Sequence, residues 1–157
     1  MFLVKQNRYV ILKKHYVKRE MEHENFKTDF IDGLSGMAIG LFATLIIGTI
    51  LEQAGTIIGG DIGNMIVMVA SIAKVLTGAG IGIGVASKLG ESTLVCASAA
   101  SAGMIGAFAS GLLNGSVSSS GKILLSGPGE PLGAFVAAYI GIEIGRIFIG
   151  RTKLDII

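Results

Sequence analysis

Residues 33–51 read GLSGMAIGLFATLIIGTIL, nineteen consecutive positions without a charged side chain. At about 1.5 Å per residue, a helix of this length covers the hydrocarbon core of a bilayer, which is about 30 Å thick. A strand of a membrane barrel would be only about 10 residues long and would alternate polar with apolar residues. This stretch therefore predicts a transmembrane α-helix.

Three further segments have the length and apolar character of membrane spans. They are Met65–Ala86, Thr93–Leu113 and Leu132–Gly150. The first of these contains one charged residue, Lys74, and the last contains Glu143 and Arg146. The predicted fold class is an all-α integral membrane protein with about four transmembrane helices.

The composition of the whole chain supports a membrane protein. Apolar residues make up 51% of the 157 residues and charged residues 15%, with a mean hydropathy of +0.70. Soluble domains carry about 25% charged residues, and disordered chains are richer still in charge. The net charge of +2 without a basic stripe argues against a nucleic-acid partner.

The sequence offers no set of residues for a metal, a cofactor or a catalytic triad. A single cysteine, Cys96, cannot form an internal disulfide, and it reads as a small buried apolar residue. The two histidines, His15 and His23, both precede the first span. We therefore predict no metal, no cofactor and no catalytic residue. Whether the protein takes part in an enzymatic reaction is left open.

The distribution of Lys and Arg predicts that both ends of the chain are cytoplasmic. Seven lie in a basic arm at residues 1–29, and Lys88, Arg151 and Lys153 bring the cytoplasmic total to ten, against Lys122 alone outside. The arm lies on anionic lipid or is merely solvated. A start at Met21 would remove most of its basic residues but keep the sign of the asymmetry.

The three connections differ in character. Glu52–Asn64 is rich in glycine and acidic, and Ser87–Ser92 is short enough for a tight turn. Asn114–Pro131 is long, and its apolar centre, Ile123–Leu125, is too short to span a bilayer. Non-helical backbone survives at membrane depth only where protein or a watery cavity surrounds it. A re-entrant loop and a plain extracellular loop are both consistent with this segment.

Two charged residues inside the spans are candidates for solute binding, because an intramembrane charge is expensive and must face a partner or water. Lys74 lies near the middle of the second span, where it either faces a solute path or forms a structural ion pair with Glu143. Glu143 and Arg146 are three residues apart and share a helix face, so they can also pair with each other. Arg146 is close enough to the cytoplasmic end to reach the interface.

The run Gly78–Gly84 alternates glycine with apolar residues. It could unwind near the midplane, where transporters bind solutes, which makes Gly80 and Gly82 candidate site residues. The other interpretation is close helix packing. Pairs of small residues four apart, such as Gly36 and Gly40, likewise favour a compact bundle or a dimer.

Glu130 lies between two prolines in the segment Gly127–Pro131, next to the start of the last span. Prolines fix the backbone, so the carboxylate would be held rigidly and could accept hydrogen bonds from the hydroxyls of a sugar or polyol. Alternatively, Glu130 only starts the last helix, where a following proline and an acidic residue are both favourable.

Four stretches together resemble a known family. They are Gly33–Phe42, Leu125–Val136, Ile142–Arg146 and Gly150–Ile157. They are similar to IIC-like membrane subunits of the sugar phosphotransferase system, and in particular to the branch of toxin-regulator (PfoR-like) membrane proteins. The resemblance covers residues 33–157 and implies a IIC-like domain at 30–157 that corresponds to the N-terminal half of a family member.

The resemblance implies a multi-pass protein of the cytoplasmic (inner) membrane that binds or translocates a small carbohydrate-type solute. A Gly-x-x-Glu-Pro type segment contributes to the sugar site of such transporters, and Gly127–Pro131 is similar to it. Phosphotransferase activity would require soluble partner subunits, and the lipid bilayer, a second copy or a missing C-terminal half are further expected partners. The alternatives are a regulatory or sensor membrane protein without transport, and a truncated, non-functional remnant.

Overall fold

A computed structural model describes residues 26–119 and 121–149, with side chains described to residue 118 and over 121–146. Most of the basic arm and the tail motif from Gly150 lie outside these residues. The chain divides into the units Met1–Asp32 and Gly33–Ile157. The described part of the first unit is helical, with the rings of Phe26 and Phe30 stacked at 6.3 Å. The fold of the second unit is almost entirely helical.

Helix α1 runs from Phe26 to Ile58 and is 33 residues long. At about 1.5 Å per residue it measures roughly 50 Å, well above the length that crosses a hydrocarbon core. One turn, Phe42–Ile46, has π-helical hydrogen bonding. Only 17% of the most apolar 18-residue window of α1 is buried inside the chain. Among the described helices, α1 alone is by itself long and apolar enough to cross a membrane.

Helix α2, Gly60–Val75, returns along the C-terminal half of α1. The turn between them consists of Gly59 and Gly60, with φ values of +64° and +63° that L side chains rarely adopt. The sequence predicted a connection over Glu52–Asn64, and this was wrong. The helices continue to Ile58 and resume at Gly60, because two glycines suffice to reverse the chain.

Helix α3, Thr77–Lys88, continues from α2 after a break at Leu76, with a bend of 44° between the two axes. Together α2 and α3 pass the same test of length and hydropathy as α1, so they form at most one bent span. The hydroxyl of Thr77 donates to the carbonyl oxygen of Lys74 at 2.7 Å across the break. The expected second span, Met65–Ala86, is therefore present as two helical pieces.

A tight turn joins α3 to helix α4, Thr93–Ala107, as the sequence predicted. Gly90 has a φ of +73°, and the N–H groups of Gly90 and Glu91 donate to the carbonyls of Ser87 and Ala86. This pattern is a glycine-terminated helix C-cap. The expected third span is interrupted at Phe108, after which the short helix α5, Ala109–Leu113, begins.

The long connection contains a small antiparallel hairpin of β1, Ser118–Ser119, and β2, Lys122–Ile123. Gly121 in its turn has a φ of +73°. Helix α6, Pro131–Ile149, follows and holds most of the expected fourth span. The structure thus shows an all-helical fold with one minor hairpin, and the count of four membrane spans stays a prediction.

The core lies where α3, α4 and α6 meet. Ile81, Val85 and Ile142 are its largest fully buried apolar side chains, and Phe135 packs on Tyr139 beside them. Glycines bring the helices into direct backbone contact. A Cβ atom on Gly40 would lie only 2.1 Å from the carbonyl oxygen of Gly80.

Candidate functional site

The segment that carries Glu130 is fixed against the end of α4. The N–H of Glu130 donates to the carbonyl oxygen of Ala107 at 2.8 Å, and a Cβ on Gly129 would lie 2.7 Å from the same oxygen. Gly127 and Gly129 have φ values of +70° and +68°. Only glycine tolerates this conformation and close approach together, so the backbone before Glu130 is held in one position.

Glu130 also starts α6. Its carbonyl oxygen accepts from the N–H of Ala134 at 3.1 Å, and Pro131 occupies the first helical position. Its side chain is exposed and forms no hydrogen bond or ion pair within the described residues. The two interpretations of Glu130 are therefore compatible: the backbone begins the helix, while the carboxylate is available as a hydrogen-bond acceptor beside the positive end of the helix dipole.

Lys74 forms an ion pair with Glu52 of α1. For Lys74, the sequence predicted as one alternative a structural ion pair with Glu143. An ion pair is present, but its partner is Glu52, so the predicted partner was wrong. Gly48 explains the geometry: a Cβ there would lie 2.7 Å from Cγ of Lys74, so the missing side chain leaves room for the lysine stem. The Lys74 side chain is 20% exposed and that of Glu52 is 38% exposed. The pair neutralises both charges within the α1–α2 hairpin.

Glu143 pairs with Arg146 at 2.8 Å between Oε1 and Nη1, as the three-residue spacing predicted. Arg146 also reaches Glu91 in the turn before α4, with 2.6 Å between Nε and Oε1. The guanidinium thereby ties the turn between α3 and α4 to α6. We call Glu91, Glu143 and Arg146 the arginine cluster.

The glycine run is helical and closely packed. Residues 78–84 all lie within α3, so the predicted unwinding was wrong, and the backbone breaks at Leu76 instead. A Cβ on Gly80 would lie 3.0 Å from the carbonyl oxygen of Gly40 and 2.5 Å from Cγ2 of Thr44. A Cβ on Gly82 would lie 2.0 Å from the carbonyl oxygen of Ala99. These contacts compensate for the low helix propensity of glycine.

A comparison with known protein families decides the identity of the chain. The profile of the family described as Phosphotransferase system, EIIC, matches residues 31–157, about four-fifths of the sequence. The chain belongs to this family. A search of curated proteins and a search of solved structures found no match.

Membership of the EIIC family establishes the coarse identity that the sequence motifs suggested. The protein is a IIC-like membrane subunit of the phosphotransferase system, a transport system. The resemblance to the PfoR-like branch is a finer assignment that stays a prediction. The same holds for the solute-binding roles of the five candidate residues in this EIIC protein.

The structure of this EIIC chain places the five candidates in three different settings. The exposed carboxylate of Glu130 forms no hydrogen bond or ion pair with the described residues. Lys74 and Glu143 are in ion pairs. Gly80 and Gly82 lie where α3 contacts its neighbouring helices. No hydrogen bond or ion pair within the described part of the chain joins any two of them. Glu130 is therefore the candidate whose side chain is most available to a ligand.

Sequence reasoning missed two acidic residues, Glu52 and Glu91, because it assigned both to connections between spans. Glu52 lies 22 positions before Lys74, and only a hairpin turn at Gly59 brings the two together. The adjacent pair Gly59–Gly60 was the available signal for that turn. Glu91 pairs with Arg146 across 55 positions, and no local pattern indicates such a contact.

Proposed function

We propose that this EIIC protein binds a small carbohydrate-type solute and carries it across the cytoplasmic membrane. The observation that carries the proposal is the match of the EIIC family profile to residues 31–157. Soluble phosphotransferase subunits would supply the phosphoryl group, as membership of the EIIC family implies.

Glu130 is the residue proposed to bind the solute. An ionised carboxylate accepts several hydrogen bonds at once, and bonds to a charged group are stronger than neutral ones. The hydrogen bond from the N–H of Glu130 to Ala107 fixes the backbone from which the side chain extends before a ligand arrives. Preorganisation of this kind reduces the entropy lost on binding. These features suit the vicinal hydroxyls of a sugar or polyol.

The other candidates are proposed to act less directly. Lys74 and Glu143 would exchange their present ion-pair partners for solute hydroxyls during transport. Gly80 and Gly82 would let α3 slide against its neighbours, since neither residue places a side chain between the helices. The proposed arrangement in the membrane is four spans with both termini inside, in a homodimer or together with a further EIIC half.

Binding of sugars to the full chain tests the proposal. Purified protein in lipid nanodiscs is titrated calorimetrically with a panel of hexoses, hexosamines and hexitols, and uptake of the same compounds is measured in vesicles. Glu130→Gln removes the charge but keeps the size of the side chain, and we expect it to lower the affinity by about tenfold or more.

Asp61→Asn is the matched control. Asp61 is exposed and lies in the first turn of α2, so it shares the helix-start position and the charge of Glu130. Equal binding by the wild type and Glu130→Gln would remove Glu130 from the site. If no compound of the panel binds or enters vesicles, the solute proposal is wrong. A regulatory effect that is lost on deletion of residues 1–20 would then support the sensor alternative.

A further inference from the structure

An open groove of about 260 Å³ lies between α4 and α6. Its lining is apolar apart from one hydroxyl, that of Ser98, which already donates to the carbonyl oxygen of Leu94 at 3.1 Å. Gly141 and Gly145 leave the space open: a Cβ on Gly145 would meet no atom within 4 Å. The groove therefore offers no unsatisfied polar side chain, which suits a hydrocarbon chain.

One end of this groove meets the arginine cluster. Gly145, which lines the groove, directly precedes Arg146, and Leu94 on the opposite wall follows Glu91 by three residues. Two carboxylates and one guanidinium give the cluster a net charge of −1. The Glu143 side chain is 41% exposed, whereas that of Glu91 is 13% exposed. Glu143, which follows the lining residue Ile142, is therefore the more accessible of the two carboxylates to a cation.

An apolar groove that ends at a negatively charged cluster is complementary to an amphiphile with a cationic end. We propose that the groove between α4 and α6 binds one acyl chain of a phospholipid with a primary amine head group, such as phosphatidylethanolamine. The ammonium group donates hydrogen bonds to Glu143. This lipid site does not include Glu130, although it shares Glu143 with the proposed solute path, and retention of the lipid needs no transport activity.

Charge selects this lipid over the alternatives. The head group of phosphatidylglycerol, or the carboxylate of a free fatty acid, would add a negative charge beside a cluster that is already negative. Phosphatidylethanolamine instead brings three N–H donors on a positive group. Hydrogen bonds between charged groups are worth more than neutral ones.

Native mass spectrometry of the full chain tests this proposal. The protein is released from nanodiscs of equimolar phosphatidylethanolamine and phosphatidylglycerol, and the retained lipid is counted by mass. We expect the wild type to retain phosphatidylethanolamine about tenfold more often than phosphatidylglycerol. Glu143→Gln should still retain lipid, but the ratio should fall to about one because the charge that selects the head group is gone.

Filling the groove should remove the retained lipid altogether. Gly145→Leu adds bulk in open space and improves helix propensity, so the protein should stay folded by circular dichroism. Ser98→Leu fills the groove from the opposite wall and serves as a second variant. Ala97→Leu is the control, because Ala97 is an exposed residue of α4 that does not line the groove.

Three results would overturn the proposal. One is equal retention of the two lipids by the wild type. Another is undiminished retention by folded Gly145→Leu and Ser98→Leu. The third is a wild-type dimer that Gly145→Leu dissociates, which would mean that a second copy of the chain occupies the groove.

Discussion

Individual glycines decide how closely the helices approach one another. Gly36 and Gly40 of α1 contact the backbone of Gly84 and Gly80 in α3, four residues apart on both helices. Without side chains between them, the backbones reach van der Waals contact, and dispersion forces replace the hydrophobic effect that lipid cannot supply. The sequence predicted this packing motif but not which helix each pair contacts, because the spacing alone carries no partner information.

A methyl group at one of these positions should separate the helices. In Gly40→Ala the new Cβ would lie 2.1 Å from a backbone oxygen, which cannot rotate away. We expect the variant to lose about 2 kcal/mol or more of its unfolding free energy, in the range of an overpacked core. The measurement is chemical or thermal unfolding in nanodiscs, followed by circular dichroism.

Gly145→Ala is the matched control for Gly40→Ala. Both change a helical glycine to alanine, but the Cβ at Gly145 has open space. The control should gain up to about 1 kcal/mol from helix propensity. Equal effects of the two substitutions would show that the contact between α1 and α3 does not limit stability.

At the scale of the elements, the break between α2 and α3 is a feature that the sequence did not predict. Hydropathy predicted a span over Met65–Ala86. These residues lie in α2 and α3, and their crossing of the membrane stays a prediction. Hydropathy could not place the break, and glycine content pointed to residues 78–84 instead of Leu76. Packing against α1 and α4 overrides the weak propensity of those glycines, whereas at the break the buried hydroxyl of Thr77 donates to the carbonyl oxygen of Lys74.

Removing that hydroxyl should destabilise the bent helix. Thr77 is fully buried, and its hydroxyl donates to the carbonyl oxygen of Lys74. Thr77→Val keeps the shape but leaves the carbonyl with one bond fewer, at an expected cost of about 1–2 kcal/mol in unfolding free energy.

Thr49→Val tests whether burial causes the loss expected for Thr77→Val. Thr49 also donates its hydroxyl to a carbonyl within its helix, that of Leu45 at 2.8 Å, but it is exposed. We expect this control to unfold like the wild type. If both valine variants lose the same stability, the bond at the break has no special role.

At the scale of the whole molecule, the hairpin of β1 and β2 bears on the topology in the membrane. A two-stranded ladder leaves backbone N–H and C=O groups unpaired at both edges, which hydrocarbon cannot satisfy. Ile123 and Leu124 are 64% and 63% exposed, and Lys122 is exposed beside them. The unpaired backbone groups and the exposed Lys122 outweigh these two apolar side chains, and we predict that the hairpin lies in water as a plain extracellular loop.

Cysteine labelling tests this topology. In a Cys96→Ser background, a membrane-impermeant maleimide should label Leu124→Cys in right-side-out vesicles. It should label Lys88→Cys only after permeabilisation, because Lys88 ends α3 at the predicted cytoplasmic side. Labelling of Lys88→Cys before permeabilisation would reverse the orientation. Protection of Leu124→Cys in both conditions would support the re-entrant loop.

The glycine contacts between α1, α3 and α4 also have a genetic consequence. Every single-nucleotide change in a glycine codon that alters the amino acid adds at least a Cβ atom or ends the chain. At Gly40, Gly82 and Gly84 that atom would lie within 2.2 Å of a neighbouring backbone oxygen. The exposed isoleucines of α1 can mutate to other apolar residues without such a clash. We therefore expect the single-residue substitutions that inactivate this protein to be concentrated on the narrow faces where the helices touch.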